Sequence, residues 1–168
     1  MSGIVCGCGS QAPTLNRPCN PCPAAALELS DTCGTQSGWE EKVDELAGRG
    51  FSLEALLDFY DLLLQGVVMP NFVPELSTTN DVVRQSIIPQ SRDCGANSGG
   101  RALATVWSDG QPRYAQRWVT HSWNNKFLHL LAAIVADGLG QGGLYGKVAD
   151  ALLEESGRAN LRVSLQSR

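Results

Sequence analysis

Cysteine is the densest potential chemistry in this sequence: Cys6-x-Cys8, Cys19-x-x-Cys22 and Cys33 place five of the six cysteines within the first 37 residues. Two closely spaced thiolate pairs, each able to fill two corners of a tetrahedron, match the donor type and number of a structural zinc site. The first pair is spaced by a single residue, however, and no histidine joins the set. Three readings therefore stand side by side for Cys6, Cys8, Cys19 and Cys22: a zinc site, a flexible arm of reduced thiols, and disulfide or lipid attachment. Zinc is the sole cofactor the residues raise.

Three further constellations carry chemistry on paper. Gly138-Leu139-Gly140-Gln141-Gly142-Gly143 matches G-x-G-x-x-G, but it follows an apolar helical stretch instead of a strand, so it reads as a helix-ending loop and not a dinucleotide turn. Cys94 lies in a glycine-rich loop, and with His121 it forms a formal nucleophile and base pair. No acid is spaced to orient that histidine, so no catalytic residue is assigned. His129 lies beside Leu128 and Leu130, where a partly buried imidazole is expected. The most specific local signal is Trp118-Val119-Thr120-His121-Ser122-Trp123-Asn124-Asn125-Lys126-Phe127. A strand ending in His121, Ser122 and Trp123 and turning into a helix would set those side chains at a sheet edge beside a helix N-terminus, where α/β sheets bind ligands. The same three residues would equally serve as a packing corner.

The elements that must position these residues follow from periodicity. Residues 1–37, rich in Cys and Pro, read as a flexible arm. Residues 38–92 read as a helical region. Within it Trp39, Val43 and Leu46 recur at i, i+4, i+7 among acids, predicting a helix over 39–47. Ser52 is positioned to cap a second helix over 52–65 that Gly66 stops, giving a helical hairpin. Ser77, Thr78 and Thr79 offer cap hydroxyls to a helix over 79–87 that Pro89 limits. Residues 93–113 read as a Gly-rich loop followed by a strand at 102–107. Residues 114–168 read as a strand at 115–121, an almost wholly apolar helix over 125–138 suited to packing on a sheet, and a helix over 145–155. Leu161, Val163 and Leu165 fit an edge strand or more helix. The expected class is α+β, mostly helical.

Composition limits the partners. The 168 residues carry 13 Lys plus Arg against 17 Asp plus Glu, a formal charge of −4, so a nucleic-acid partner is not expected. The charge is also uneven: residues 28–61 hold nine acids with only Lys42 and Arg49, while residues 82–136 hold six bases against Asp93 and Asp109, an asymmetry that could dock one half on the other. The longest apolar run, Leu130 to Ala136, is far short of the roughly 20 residues that span a bilayer. With no readable signal peptide, the expected compartment is intracellular, in the cytoplasm.

Val119-Thr120-His121-Ser122-Trp123, with the helix from Lys126 to Leu139, resembles the first strand and helix of the Toll/interleukin receptor homology (TIR) superfamily. Bacterial and protist members of that superfamily end the strand in Ser-His-Ser/Ala-Trp. Thr120 stands here where serine is usual, and Asn124 where an acid often follows the tryptophan. Thr78-Thr79-Asn80-Asp81-Val82-Val83-Arg84-Gln85 through Ile87-Ile88-Pro89, with the same Thr-His-Ser-Trp segment, is similar to an expanded family of dinoflagellate proteins over most of residues 38–155. The TIR resemblance implies a flavodoxin-like parallel sheet, and either assembly with like domains or NAD cleavage by a glutamate on a later helix. Only 45 residues follow Trp123. Each further strand and helix takes about 25 to 30 residues, so the glutamate-bearing helix has no place, and Glu154 and Glu155 match no catalytic motif. The expectation is a partial, truncated TIR-like domain acting as a non-catalytic interaction module, with His121, Ser122 and Trp123 as its partner edge and a like domain or homo-oligomer as partner. A TIR-like NAD glycohydrolase and a small zinc-binding adaptor are the alternatives.

Overall fold

A computed structural model describes residues 36–92 and 100–167. Its organisation follows from two apolar helices. Helix α2 (Leu53–Leu64) is capped by Ser52, whose hydroxyl accepts the Ala55 N–H at 3.2 Å. It buries Leu56, Leu57, Phe59, Tyr60 and Leu63, and Gly66, at φ 69°, turns the chain out of it. Helix α6 (Phe127–Gly138) buries Phe127, Leu128, Leu131, Ala132, Val135 and Ala136. The two approach closely at Gly138, where a Cβ would lie 2.3 Å from Leu53 Cδ1. Only glycine fits without displacing that leucine.

The other helices are arranged around this pair. Helix α1 (Gln36–Ala47) precedes α2. Helix α3 (Thr79–Val82) opens with a reciprocal capping box between Thr78 and Asp81. Two hydrogen bonds from Thr78 to the Asp81 carboxylate, through side chain and backbone, hold that acid below its ordinary pKa. The helical path continues as a π-helical turn, Val83–Ile87, and then α4 (Ile88–Gln90). Pro89 explains the widening: in α-geometry its ring would meet the carbonyl four residues back, and an extra residue in the turn moves that carbonyl away. Helix α5 (Leu103–Trp107) follows. Beyond α6, helix α7 (Tyr145–Leu153) packs along it, and α8 (Glu155–Gln166) closes on α7 and α2.

Helix α8 is fastened to α2 by charge as well as by Leu161. Arg158 and Arg162, one turn apart, face Asp58 and Asp61. Arg158 Nε donates to Asp61 Oδ1 at 2.7 Å, and Arg162 Nη2 donates to Asp61 Oδ2 and Asp58 Oδ1, both at 2.7 Å. A second Arg158 nitrogen donates to the Leu152 carbonyl at 3.0 Å, so the same guanidinium also ties down the end of α7.

The described chain is mostly helical, as expected, but it contains no strand among the described residues. Two isolated bridges, Arg49 with Arg113 and Thr78 with Lys126, are its only β pairings. Both predicted strands are corrected. Residues 102–107 form α5, because the i, i+4 spacing of Leu103 and Trp107 turns both toward the core and a helix satisfies its own backbone. With that partner helical, residues 115–121 have no ladder to join and run as irregular, exposed chain. The βα unit that the TIR resemblance implies is not present among the described residues, and α6 packs on helices instead of a sheet. The tail 161–165 is helical, within α8. His129 is exposed instead of partly buried. No helix is long and apolar enough to cross a membrane among the described residues. The arm 1–35, with Cys6, Cys8, Cys19 and Cys22, and most of the Gly-rich loop, with Cys94, lie outside the described residues.

Candidate functional site

The segment from Arg113 to Lys126 is a strap held at both ends. At its start the Arg113 N–H donates to the Gly48 carbonyl at 2.8 Å and the Gly50 N–H donates to the Arg113 carbonyl at 2.7 Å. Gly50 permits this approach, since a Cβ there would lie 2.6 Å from the Arg113 oxygen. The Tyr114 hydroxyl donates to both Asp44 carboxylate oxygens at 3.0 and 3.1 Å. That hydrogen bond to an anion pushes the phenol pKa above its usual value. At the far end the Asn80 N–H donates to the Trp123 carbonyl at 2.9 Å. There too the Thr79 N–H donates to the Asn125 carbonyl, and the Phe127 N–H to the Ser77 carbonyl, at 2.8 and 3.0 Å.

Between these anchors, residues 114–121 make no backbone hydrogen bond to any described residue. Beyond Tyr114, the one side-chain tie among the described residues is Arg117 Nε to Asp137 Oδ2 at 3.3 Å, between two exposed groups. The side chains carried over this stretch are aromatic and exposed: Trp118 is 82% accessible and Trp123 53%. Trp123 is therefore not the buried indole of a packing corner. Of the three predicted edge residues, His121, Ser122 and Trp123, all are exposed, and His121 alone also lines a cavity.

That cavity, about 260 Å³, lies among α2, the π turn, α5 and α6. Its wall is almost wholly apolar, built chiefly by Phe51, Phe59, Trp107, Phe127, Leu130 and Ile134, with His121 and Arg49 as its ionisable members. The rings order one another: Trp107 meets Phe51 edge-on at 5.9 Å and Phe59 at 5.2 Å, and Phe59 meets Phe127 edge-on at 6.2 Å. The lining contains no carboxylate. A second hollow of about 380 Å³, beside α7 and α8, is lined by Gln141, Asn160, Ser164 and small or apolar neighbours, none titratable.

The other sequence candidates fall elsewhere. Gly138–Gly143 ends α6 and passes into a single 3₁₀ turn, Gly142–Leu144, as a helix-ending loop should. Glu154 and Glu155 sit at the α7–α8 junction, exposed and outside both hollows. Among the described residues no group of three or more His, Cys, Asp or Glu is arranged to hold a metal ion. The aromatic cavity is what residue-by-residue reading missed. Its signal was present in the spacing of Phe51, Phe59 and Trp107, but it needed α5 to be recognised as helical. No family model matches this chain, and neither a curated protein nor a solved structure does.

Proposed function

We propose that this chain is a non-catalytic protein-interaction module whose docking edge is the strap. One observation carries the reading: a stretch rich in strand-forming residues, with Tyr114, Trp118, Val119 and Trp123 exposed and the backbone N–H and C=O groups of residues 114–121 unpaired within the described chain. Exposed tryptophan, tyrosine and arginine are the side chains that dominate interface energetics, and unpaired backbone in extended-competent sequence is what a partner chain can pair with. Assembly with a like domain is also what the TIR resemblance implies, and the partial TIR-like origin of His121–Trp123 and α6 belongs to this same proposal.

The test compares full-length wild type with a Trp118→Ser/Trp123→Ser variant in proximity labelling inside cells. The melting curve of the variant should be close to wild type, because neither ring is in the core. The expected result is loss of a defined set of labelled proteins. Identical labelling by the two proteins would overturn the reading. So would nicotinamide release from NAD that disappears in Glu154→Ala or Glu155→Ala.

A further inference from the structure

The charge asymmetry of the sequence is not consumed inside the described chain. The ion pairs of α1 are local, Lys42 with Glu45 and Arg49 with Glu45. Asp58 and Asp61 go to Arg158 and Arg162 of α8. No ion pair joins the acids of residues 36–61 to Arg113, Arg117 or Lys126 among the described residues. Glu40 and Glu41 are exposed on α1 without an ionic partner, and Arg113 and Lys126 are exposed on the strap in the same condition.

Apolar surface is divided in the same way. The stripe Trp39, Val43 and Leu46 faces water along α1, with Trp39 71% accessible, while Trp118, Val119 and Trp123 face water along the strap. One is an acidic helix with an exposed apolar stripe, the other a basic, aromatic, extended segment. The anchors at Gly48, Gly50 and Asp44 join the two only at their adjoining ends, and Arg117 and Asn80 then tie the strap to α6 and α3. Neither Trp39 nor Trp118 is covered by the described residues of one copy.

We propose that the missing cover is a second copy of this chain: a twofold dimer in which the strap of each copy lies along α1 of the other. This assignment rests on the interaction-module reading and names its partner. Three features support it. The charges are complementary within one sequence, so a twofold arrangement satisfies both copies at once. A 12-residue helix is about 18 Å long, a length that the strap can follow with residues 114–121. Each copy contributes both a helix face and a strap, so the indoles of Trp39, Trp118 and Trp123 supply on the order of 400 Å². Val43, Leu46 and Val119 bring that toward the roughly 800 Å² per partner of a stable interface.

The experiment is light scattering on the full chain over a concentration series, with reductant present so that no disulfide contributes. Wild type is expected to be dimeric. The variants Glu40→Lys/Glu41→Lys and Arg113→Glu/Arg117→Glu should each be monomeric, since helix and strap then carry like charge. Mixed together, they should form a heterodimer, because the basic helix of one meets the acidic strap of the other and the two native faces meet as well. Circular dichroism melts verify that both variants are folded, and Trp118→Ser provides a charge-neutral variant that should also weaken the dimer by about tenfold or more. A monomeric wild type overturns the second-copy assignment, as does a dimer indifferent to all three variants or a charge-swapped pair that fails to associate. A monomer whose labelled partners still depend on Trp118 and Trp123 would overturn the dimer while leaving the module reading intact.

Discussion

Replacing Asp61 with alanine removes the acceptor shared by Arg158 and Arg162 and so tests how α8 is held. The Arg158 and Asp61 side chains are 15% and 29% accessible, which sets the pair between two limits. A fully exposed pair contributes about 0 to 1 kcal/mol, and breaking a fully buried one costs about 3 to 5 kcal/mol. Two relief paths lower the cost here. Arg158 keeps the Leu152 carbonyl, and Arg162 keeps Asp58. The expected loss is therefore about 2 kcal/mol, which for a domain of this size lowers Tm by roughly 6 to 10 °C. Urea unfolding followed by circular dichroism measures it, with Asp58→Ala, an exposed carboxylate, expected to cost less than about 1 kcal/mol. A cycle through Asp61→Ala, Arg158→Ala and the double variant should give a coupling of about 1 kcal/mol. A loss below about 0.5 kcal/mol for Asp61→Ala, or zero coupling, would refute the argument that these charges fasten the helix.

Two further outcomes separate core from surface. Trp107→Ala, which strips the ring between Phe51 and Phe59, should cost about 2 to 4 kcal/mol in the same assay, whereas Trp123→Ala should cost less than about 1 kcal/mol because its indole is half exposed; the reverse order would mean that the strap is packed. Tyr60 is buried, its hydroxyl has no partner among the described residues, and desolvation pushes its pKa from 10.0 up to about 12. The folded form holds its proton longer than the unfolded one, so this contribution is complete below pH 10 and is lost as the pH rises toward 12. Tyr60→Phe should therefore be neutral or slightly stabilising at pH 7 and should flatten the alkaline fall in stability, and an alkaline profile unchanged from wild type would refute it.

Where the signals were local, the sequence was readable. Ser52, Gly66 and the Thr78 hydroxyl act through neighbours within one turn, and each sits where spacing put it, although the reciprocal bond from Asp81 was not read. Residues 102–107 and 115–121 were misread for a shared reason. Val, Thr and Trp favour an extended chain only where another strand accepts their hydrogen bonds, and that partner is decided by the whole fold. Once Leu103 and Trp107 find the core as a helix, 115–121 loses its ladder. The consequence reached the candidate site: Trp123, read as part of a sheet edge or a packing corner, lies open on the strap, and His121 borders an aromatic cavity instead of a sheet edge. The clamp of Arg158 and Arg162 on Asp58 and Asp61 was missed, because its two halves are about 100 positions apart in the chain. The order of the charges along α2 and α8 was visible, but not that the helices meet.

The strap also separates the covalent order of this chain from its cohesive order. The helices before it and after it are joined through the core and through the α2–α8 ion pairs, while residues 114–121 contribute no backbone hydrogen bond to that union. A peptide bond within that stretch is thus a tether and not a strut. A chain cut between Arg117 and Thr120 would therefore keep the buried contacts of the helices on either side while releasing the docking edge from its fixed path.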